Sequence, residues 1–562
     1  MKNRWDIAKA DQNLVEKISR ERKVSEIIAC LLVLRGVSTY HEAERFFRPK
    51  ISNLHDPFLM KGMNEAVKRI ELALNRKEGV LIYGDYDVDG TTSVAMIYSF
   101  MTRFTDNVGY YIPDRYSEGY GVSFQGIDYA QENNYSLIIA LDCGIRAVKQ
   151  IDYASNKNID FIVCDHHNPG VNIPRAVSIL NPKQIDCNYP FKELSGCGVG
   201  FKLIQALSYN LNIEFTQIAE YLDLVSISIG ADIVDITGEN RILAFYGLRI
   251  INKSPRVGIK TLMNKAKRSK QLDMLDVIFG IAPRINAAGR INHGKVAVGL
   301  LVENHIKEAN LISDEIEKYN TERKDLDKSI TSQALEMVDV KRRSNIVYND
   351  SWHKGVVGIV ASRLIEQYYK PTIVLTKDGE NYTGSARSVK GFNIYNALLE
   401  CDHLLEKFGG HKYAAGLSVK SSNLKLFIEE FEKIVCRVIG DNDTTNVINV
   451  DMDISLNDIN FKLHRIIEQF APFGPKNRLP LFITRNISEI TDLRKIGKNK
   501  DHISMNIRVG EKDIKCIGFN LSYLYDSLSN KTLFDMCYSI HKNEWQGTTS
   551  LQLRIKDIHF HQ

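Results

Sequence analysis

The sequence has no apolar run approaching the ~20 residues that a helix needs to cross a bilayer. Its start, MKNRWDIAKADQN, lacks the apolar core of a secretory signal. Neither a membrane protein nor an exported one is expected, and the expected location is the cytoplasm. Cysteine is sparse and unpatterned: nine residues, an odd number, with no Cys-x-x-Cys pair. That excludes a disulfide framework and a cysteine-rich zinc site. Cys143, Cys164 and Cys516 stand in apolar stretches and read as buried, reduced thiols. An excess of one charge is missing as well. A formal net charge of +5 over 562 residues is too small to announce a polyanionic partner, so any nucleic-acid claim must rest on local patches. Low-complexity segments and internal repeats are absent.

What is present is an ordinary globular composition, 44% hydrophobic and 25% charged. The chain is too long for one core, and about two to four domains are expected. Residues 1–50 look helical and amphipathic and carry no chemical motif. From residue 79 short apolar runs each end in polar or acidic residues: VLIYGD (80–85), LIIALD (137–142), FIVCD (161–165) and VSILN (177–181). Helix-like segments separate most of them, which predicts an α/β domain over 51–304 built on a parallel sheet covered on both faces. Residues 305–344 predict a connecting helix ending in Lys341-Arg342-Arg343, and 345–445 a second α/β domain. Short alternating runs such as ISMNIR (503–508) predict a small antiparallel barrel or sandwich over 446–562.

Three of the predicted strands finish in metal-ligand residue types. The first leads into Asp85-Tyr86-Asp87-Val88-Asp89-Gly90, the second into Asp142-Cys143-Gly144, the third into Asp165-His166-His167. Open α/β sheets bind ligands at the carboxyl ends of their strands, so these groups should meet in one crevice. Asp232, after another apolar stretch, is a further candidate. A lone Asp-x-Asp-x-Asp is common in loops, and a His-His pair is usually two surface histidines. Their joint appearance at successive strand ends points instead to a centre for hard divalent cations. Two such ions can activate water and steady a leaving oxygen in phosphoester hydrolysis. An EF-hand is excluded, because Met96 stands where its twelfth-position glutamate would be.

Basic patches suggest where a strand could lie. The stretch 251–270 holds Lys253, Arg256, Lys260, Lys265, Lys267, Arg268 and Lys270 without an acid, and reads as a phosphate-facing surface. Arg494, Lys495, Lys498 and Lys500 form a second basic loop. Tyr523, Tyr525 and Trp545 could stack bases or equally fill a core.

These residues resemble the DHH phosphoesterase superfamily, named for the triplet found here as Asp165-His166-His167. In order, the chain carries YGDYDVDGTTS (83–93), YIPDRYSEGYG (111–121), LDCG (141–144), CDHHNPG (164–170), GADIVDI (230–236), APRINAAGRI (282–291), WHKGVVGIVASRL (352–364), GSARS (384–388) and FGGHKYAAGL (408–417). The series is similar to the RecJ branch and spans nearly the whole chain. The resemblance implies a single-stranded-DNA-specific 5′-to-3′ exonuclease of DNA repair and recombination, using two Mn²⁺ or Mg²⁺ ions. It implies Asp85, Asp87, Asp89, Asp142, His166, His167 and Asp232 as metal ligands, with Asp165 orienting the histidines. Many superfamily members have a histidine where this chain has Tyr83; the RecJ branch looks to use Asp85 instead. The resemblance further implies a DHH-associated domain in which Gly409 and Gly410 precede a helix and His411 meets the scissile phosphate. Arg290 would steady that phosphate, while Arg115, Ser385 and Arg387 would hold a 5′-terminal phosphate. The C-terminal domain would be OB-like, with Pro472-Phe473-Gly474 and Asn477 at its entrance. Its removal should weaken strand binding and spare hydrolysis of short substrates in part. A monomer is implied, with a single-strand-binding protein and a RecQ-type helicase as partners. The alternative is a DHH phosphodiesterase acting on short oligonucleotides or cyclic dinucleotides.

Overall fold

The computed structural model describes residues 3–268, 271–439, 445–530, 533–545 and 547–561. At its centre lies a five-stranded, wholly parallel sheet. Its spatial order is Val108–Tyr111, Gly79–Gly84, Tyr135–Leu141, Asp160–Cys164, Ser178–Leu180. The strands are nearly continuous apolar runs because both faces are covered. Val80, Ile82, Leu137 and Ile139 pack on one side with helices Met63–Arg76, Val88–Met101 and Gly196–Asn210. Leu81, Tyr83, Ile138 and Ala140 pack on the other with helices Phe124–Glu132 and Val148–Asn156. The order reverses between Gly79–Gly84 and Tyr135–Leu141, and in a doubly wound sheet that reversal opens a crevice at the strand ends. Asp85 and Asp142 lie directly at its mouth.

A single helix, Ile306–Glu336, leads out of this unit, and Lys341-Arg342-Arg343 follow in a turn beyond it. The next sheet has five strands, ordered Leu405–His411, Ala414–Lys420, Asn381–Arg387, Thr372–Asp378, Asn345–Asn349. Gly409-Gly410-His411 do not open a helix; they end a strand that pairs in a hairpin with Ala414–Lys420. The small residues at 414–416 let this strand lie against Asn381–Arg387 with Ala415 opposite Ala386 and Gly416 opposite Ser385.

The last sheet has seven strands. It is mixed where an antiparallel barrel was expected, since Lys512–Gly518 runs parallel to Thr548–Phe560. The N-terminal segment is also more than amphipathic helix. Arg4–Ile7 is a strand paired in parallel with Val447–Val450. Val15, Ile18, Ile28, Leu31 and Leu32 share a core with Phe470, Phe482, Met505 and Leu553 of the C-terminal region. The apolar faces of these short helices are therefore covered by the far end of the chain. Leu31→Ala is expected to cost about 2–5 kcal/mol, read as a lowered urea midpoint for the unfolding transition of the C-terminal sheet.

All nine cysteines are free, and all but Cys436 are buried. Among the described residues no helix is long and apolar enough to cross a membrane.

Candidate metal centre and phosphate cleft

The first carboxylates stand where a fully buried strand turns into a helix. Asp85 is buried after Gly79–Gly84, and its carboxylate accepts a long hydrogen bond from the Gly121 amide at 3.3 Å. Asp87 caps helix Val88–Met101, accepting from the Gly90 amide at 3.0 Å. Asp89 lies inside the first turn of that helix, and its carboxylate is held by three donors, each at 2.7 Å. They are the amides of Gly196 and Cys197 and the hydroxyl of Ser228. Both amides belong to the start of helix Gly196–Asn210, where unpaired N–H groups favour an anion.

Asp142 follows its strand in a left-handed conformation, φ 57°. Holding a residue with a Cβ there costs about 1–3 kcal/mol, a strain typical of functional sites. Gly196 makes the position possible: any Cβ on it would stand 2.7 Å from the Asp142 Cβ. His166 is buried, with Nε2 3.2 Å from Asp142 Oδ1, 3.5 Å from Asp232 Oδ2 and 3.8 Å from Asp89 Oδ2. His167 is oriented from behind. Its Nδ1 lies 2.7 Å from Asp165, whose carboxylate also accepts from the amides of His166, His167 and Ile145. Burial alone would raise the Asp165 carboxyl, but these bonds and the adjacent His167 outweigh it and hold it at about 2. An ionised Asp165 keeps the proton of His167 on Nδ1 and leaves Nε2 as the free donor atom.

The ligand atoms fall into two overlapping groups, Asp142 with His166 and His167, and Asp89 with His166 and Asp232. Within each group they lie within 4.8 Å of one another. Asp85 and Asp87 stand beside these groups. Burial, and then the neighbouring carboxylates, push the Asp85, Asp142 and Asp232 carboxyls well above their ordinary range. Asp142 Oδ1, Asp85 Oδ2 and both ring nitrogens of His166 are buried without a hydrogen-bond partner. Unpaired buried acceptors and crowded carboxylates are costly unless a cation offsets them. Carboxylate oxygens with imidazole nitrogen suit Mn²⁺ or Mg²⁺. Asp142→Asn should accordingly raise the thermal midpoint of the metal-free protein by about 2–4 °C and shrink the further rise that Mn²⁺ produces. Scanning fluorimetry in EDTA and in Mn²⁺ checks both.

A second cluster lies in the cleft between the parallel-sheet unit and the sheet that follows the long helix. Arg115 stacks over the Tyr86 ring at 4.7 Å. Arg290 donates to the Gly355 carbonyl at 3.1 Å, and its own carbonyl accepts from the Tyr116 hydroxyl. Arg387 donates to Ser385 Oγ at 2.7 Å and to the Ala386 carbonyl at 2.9 Å. Burial, then Arg115, Arg323 and Arg387, bring the Arg290 guanidinium down to about 10. Arg387 is lowered by burial and then by Arg115. No carboxylate forms an ion pair with these three arginines among the described residues, so the cleft is a ready-made anion site. The first turn of helix Val357–Tyr368 closes it: a Cβ on Gly358 would stand 3.2 Å from both Arg387 Nη2 and Ser385 Oγ.

His411 is exposed at its strand end; burial lowers its pKa first, then the charges of Arg146, His167 and Lys183, which it faces. Tyr83 points into the opposite core, bonded to the Gly121 carbonyl and the Ser123 amide. The expected basic surface at 251–270 is neutralised in part, at three of its six described basic residues. Arg256 forks onto Asp223, Lys265 pairs with Asp314 and Arg268 with Asp276, while Lys270 lies outside the described residues. Lys498 and Lys500 do occupy a turn between strands Ile490–Ile496 and His502–Val509. Tyr523 is 69% exposed beside that sheet. Tyr525 lies under Lys495, and the Trp545 side chain lies outside the described residues. Sequence reasoning missed Tyr120, whose hydroxyl sits 3.2 Å from His167 Nε2, and the Ser195–Ser228 pair behind Asp89. The glycine-rich SGCGVG (195–200) was the available signal for an anion-binding helix start.

The DHH family N-terminal domain matches residues 79–229, the DHHA1 domain 341–436 and the RecJ OB domain 450–557. The single-stranded-DNA-specific exonuclease RecJ of Bacillus subtilis is 37% identical over 562 residues, covering 99% of this chain and 71% of its own. The chain belongs to the RecJ family. The Escherichia coli RecJ is 32% identical over 94% of this chain and 95% of its own length. A crystal structure of RecJ bound to manganese shares 30% identity with this RecJ-family chain over 69% of its length, with a TM-score of 0.61. RecJ from Thermus thermophilus, solved with Mn²⁺, shares the fold across the whole chain, with a TM-score of 0.87 at 24% identity.

Proposed function

We infer that this chain is a metal-dependent exonuclease that hydrolyses phosphodiester bonds of single-stranded DNA from the 5′ end and releases 5′-mononucleotides. The observation that carries the reading is the pairing of two sites. A crevice of unpartnered carboxylate and imidazole donors lies beside a cleft of uncompensated arginines.

Asp85, Asp87, Asp89, Asp142, His166, His167 and Asp232 would hold two Mn²⁺ or Mg²⁺ ions. Such ions lower the pKa of bound water and offset charge on a phosphate under attack. The residues themselves supply the positioning. Asp165 fixes the tautomer of His167, and the helix at Gly196 with Ser228 fixes Asp89. Arg290, anchored on Gly355, would steady the scissile phosphate together with His411, which faces His167 from the hairpin, where Gly410 lets the two strands meet closely and Gly409 leaves space beside it. Arg115, Ser385 and Arg387 form the pocket in which a terminal 5′-phosphate ends the chain.

An OB domain beyond the two α/β units favours long strands over the alternative of short oligonucleotides or cyclic dinucleotides. We divide the chain into units 51–304, 305–344, 345–445 and 446–562, and assign 1–50 to the last of them, whose core it shares. A cytoplasmic monomer that works with a single-strand-binding protein and a RecQ-type helicase completes the proposal. The decisive assay follows 5′-labelled and 3′-labelled single strands with and without Mn²⁺. Early release of labelled mononucleotide from the 5′ end, only with metal, is expected. Early release from the 3′ end would overturn the polarity.

A further inference from the structure

The turn at residues 472–477 was expected at the mouth of the C-terminal domain. In the structure it packs onto the segment that carries Asp232. Asp232 ends helix Leu222–Ala231, and no hydrogen bond to its carboxylate comes from the described residues; His166, 3.5 Å away, is its near neighbour. Its position is therefore set by the backbone around it. That backbone is strained at the next residue, Ile233, which is β-branched and left-handed at φ 59°. Such a conformation persists only where the surroundings impose it.

The surroundings come from the C-terminal domain. The Ile236 amide donates to the Pro475 carbonyl at 2.9 Å. Gly474 lies so close that a Cβ on it would stand 2.5 Å from Ile236 Cγ1. Asn240 donates to the Asp235 carbonyl at 3.0 Å. Arg241, buried in the first turn of helix Gly238–Lys253, donates to the carbonyls of Phe46, Gln469, Phe470, Ala471 and Pro472, and stacks at 4.0 Å over Phe46. The turn is rigid in itself. Gly474 and Asn477 exchange backbone hydrogen bonds, Asn477 Nδ2 donates to Phe470 and Pro472, and its Oδ1 accepts from Arg35.

We propose that the turn at 472–477 is a positioning element for Asp232, so that the C-terminal domain completes the metal centre as well as gripping the strand. The proposal rests on Asp232 being a metal ligand. It also revises the sequence expectation: loss of the C-terminal domain should impair hydrolysis of short substrates too.

The test is calorimetric titration of Mn²⁺ into the full chain, beside Asp232→Ala, Gly474→Val and Gly474→Val/Ile236→Ala. Gly474→Val should bind Mn²⁺ at least about tenfold more weakly, the scale of an outer positioning group. Its affinity for single-stranded DNA in EDTA should stay unchanged, which shows that the seven-stranded sheet is intact. The double variant, which opens space for the new side chain, should recover most of the metal affinity. If Gly474→Val does not fold, Gly474→Ala carries the same comparison. Wild-type Mn²⁺ binding by the Gly474 variant, with Asp232→Ala weakened, would overturn the positioning role alone. Wild-type binding by Asp232→Ala would overturn the ligand reading beneath it.

Discussion

Asp142→Ala lowers Mn²⁺-dependent hydrolysis by at least ~100-fold, and Asp87→Ala, Asp89→Ala and His166→Ala do the same. Asp142 is the sharpest test because nothing else in the fold uses it. Its Oδ1 is buried without a hydrogen-bond partner and lies 3.2 Å from His166 Nε2. It is held in a left-handed conformation, φ 57°. A residue kept this way for packing would lose nothing on becoming alanine, whereas a residue that would hold a metal ion loses its ligand. Asp89 differs, since its alanine variant also leaves the amides of Gly196 and Cys197 unpaired and should be less stable as well. Initial rates on a long single strand at saturating Mn²⁺ check the series. Near-normal turnover by Asp142→Ala would remove the assignment.

Arg387→Ala erodes the preference for 5′-phosphorylated over 5′-hydroxyl ends by roughly tenfold or more, because each charge-assisted contact contributes about 1.5–3 kcal/mol. Metal binding should not change, since Arg387 sits on the far side of the cleft, bonded to Ser385 and its own strand. Its charge is uncompensated and felt by Arg290, so removal also relieves repulsion and should not destabilise the protein. Arg290→Ala should slow both substrates alike. Initial rates on strands that differ only at the 5′ end separate the two residues. An unchanged ratio in Arg387→Ala would take that residue out of the pocket.

The metal crevice was legible because a parallel sheet buries its strands on both faces. Each strand then reads as an unbroken apolar run, and Asp85, Asp142 and Asp165 mark where it surfaces. The hairpin at Gly409-Gly410-His411 was not legible, since glycines serve equally before a helix and at an edge where backbones meet closely. The basic stretch at 251–270 was legible only in part, for a different reason. Its partners Asp223, Asp276 and Asp314 come from elsewhere in the chain, and local composition carries no record of them. Nor could the grip on Arg241 be foreseen, because its acceptors are main-chain carbonyls that every residue possesses.

The parallel pairing of Arg4–Ile7 with Val447–Val450 has a consequence for how the chain is made. Helices that emerge early from the ribosome present Ile28, Leu31 and Leu32 with nothing to cover them until the closing strands are synthesised. The two α/β units can fold meanwhile as an insertion between the halves of one domain. Nascent chains cut short before residue 447 should therefore engage chaperones through their first fifty residues. A segment made long before its partner strands is among the last to find its place.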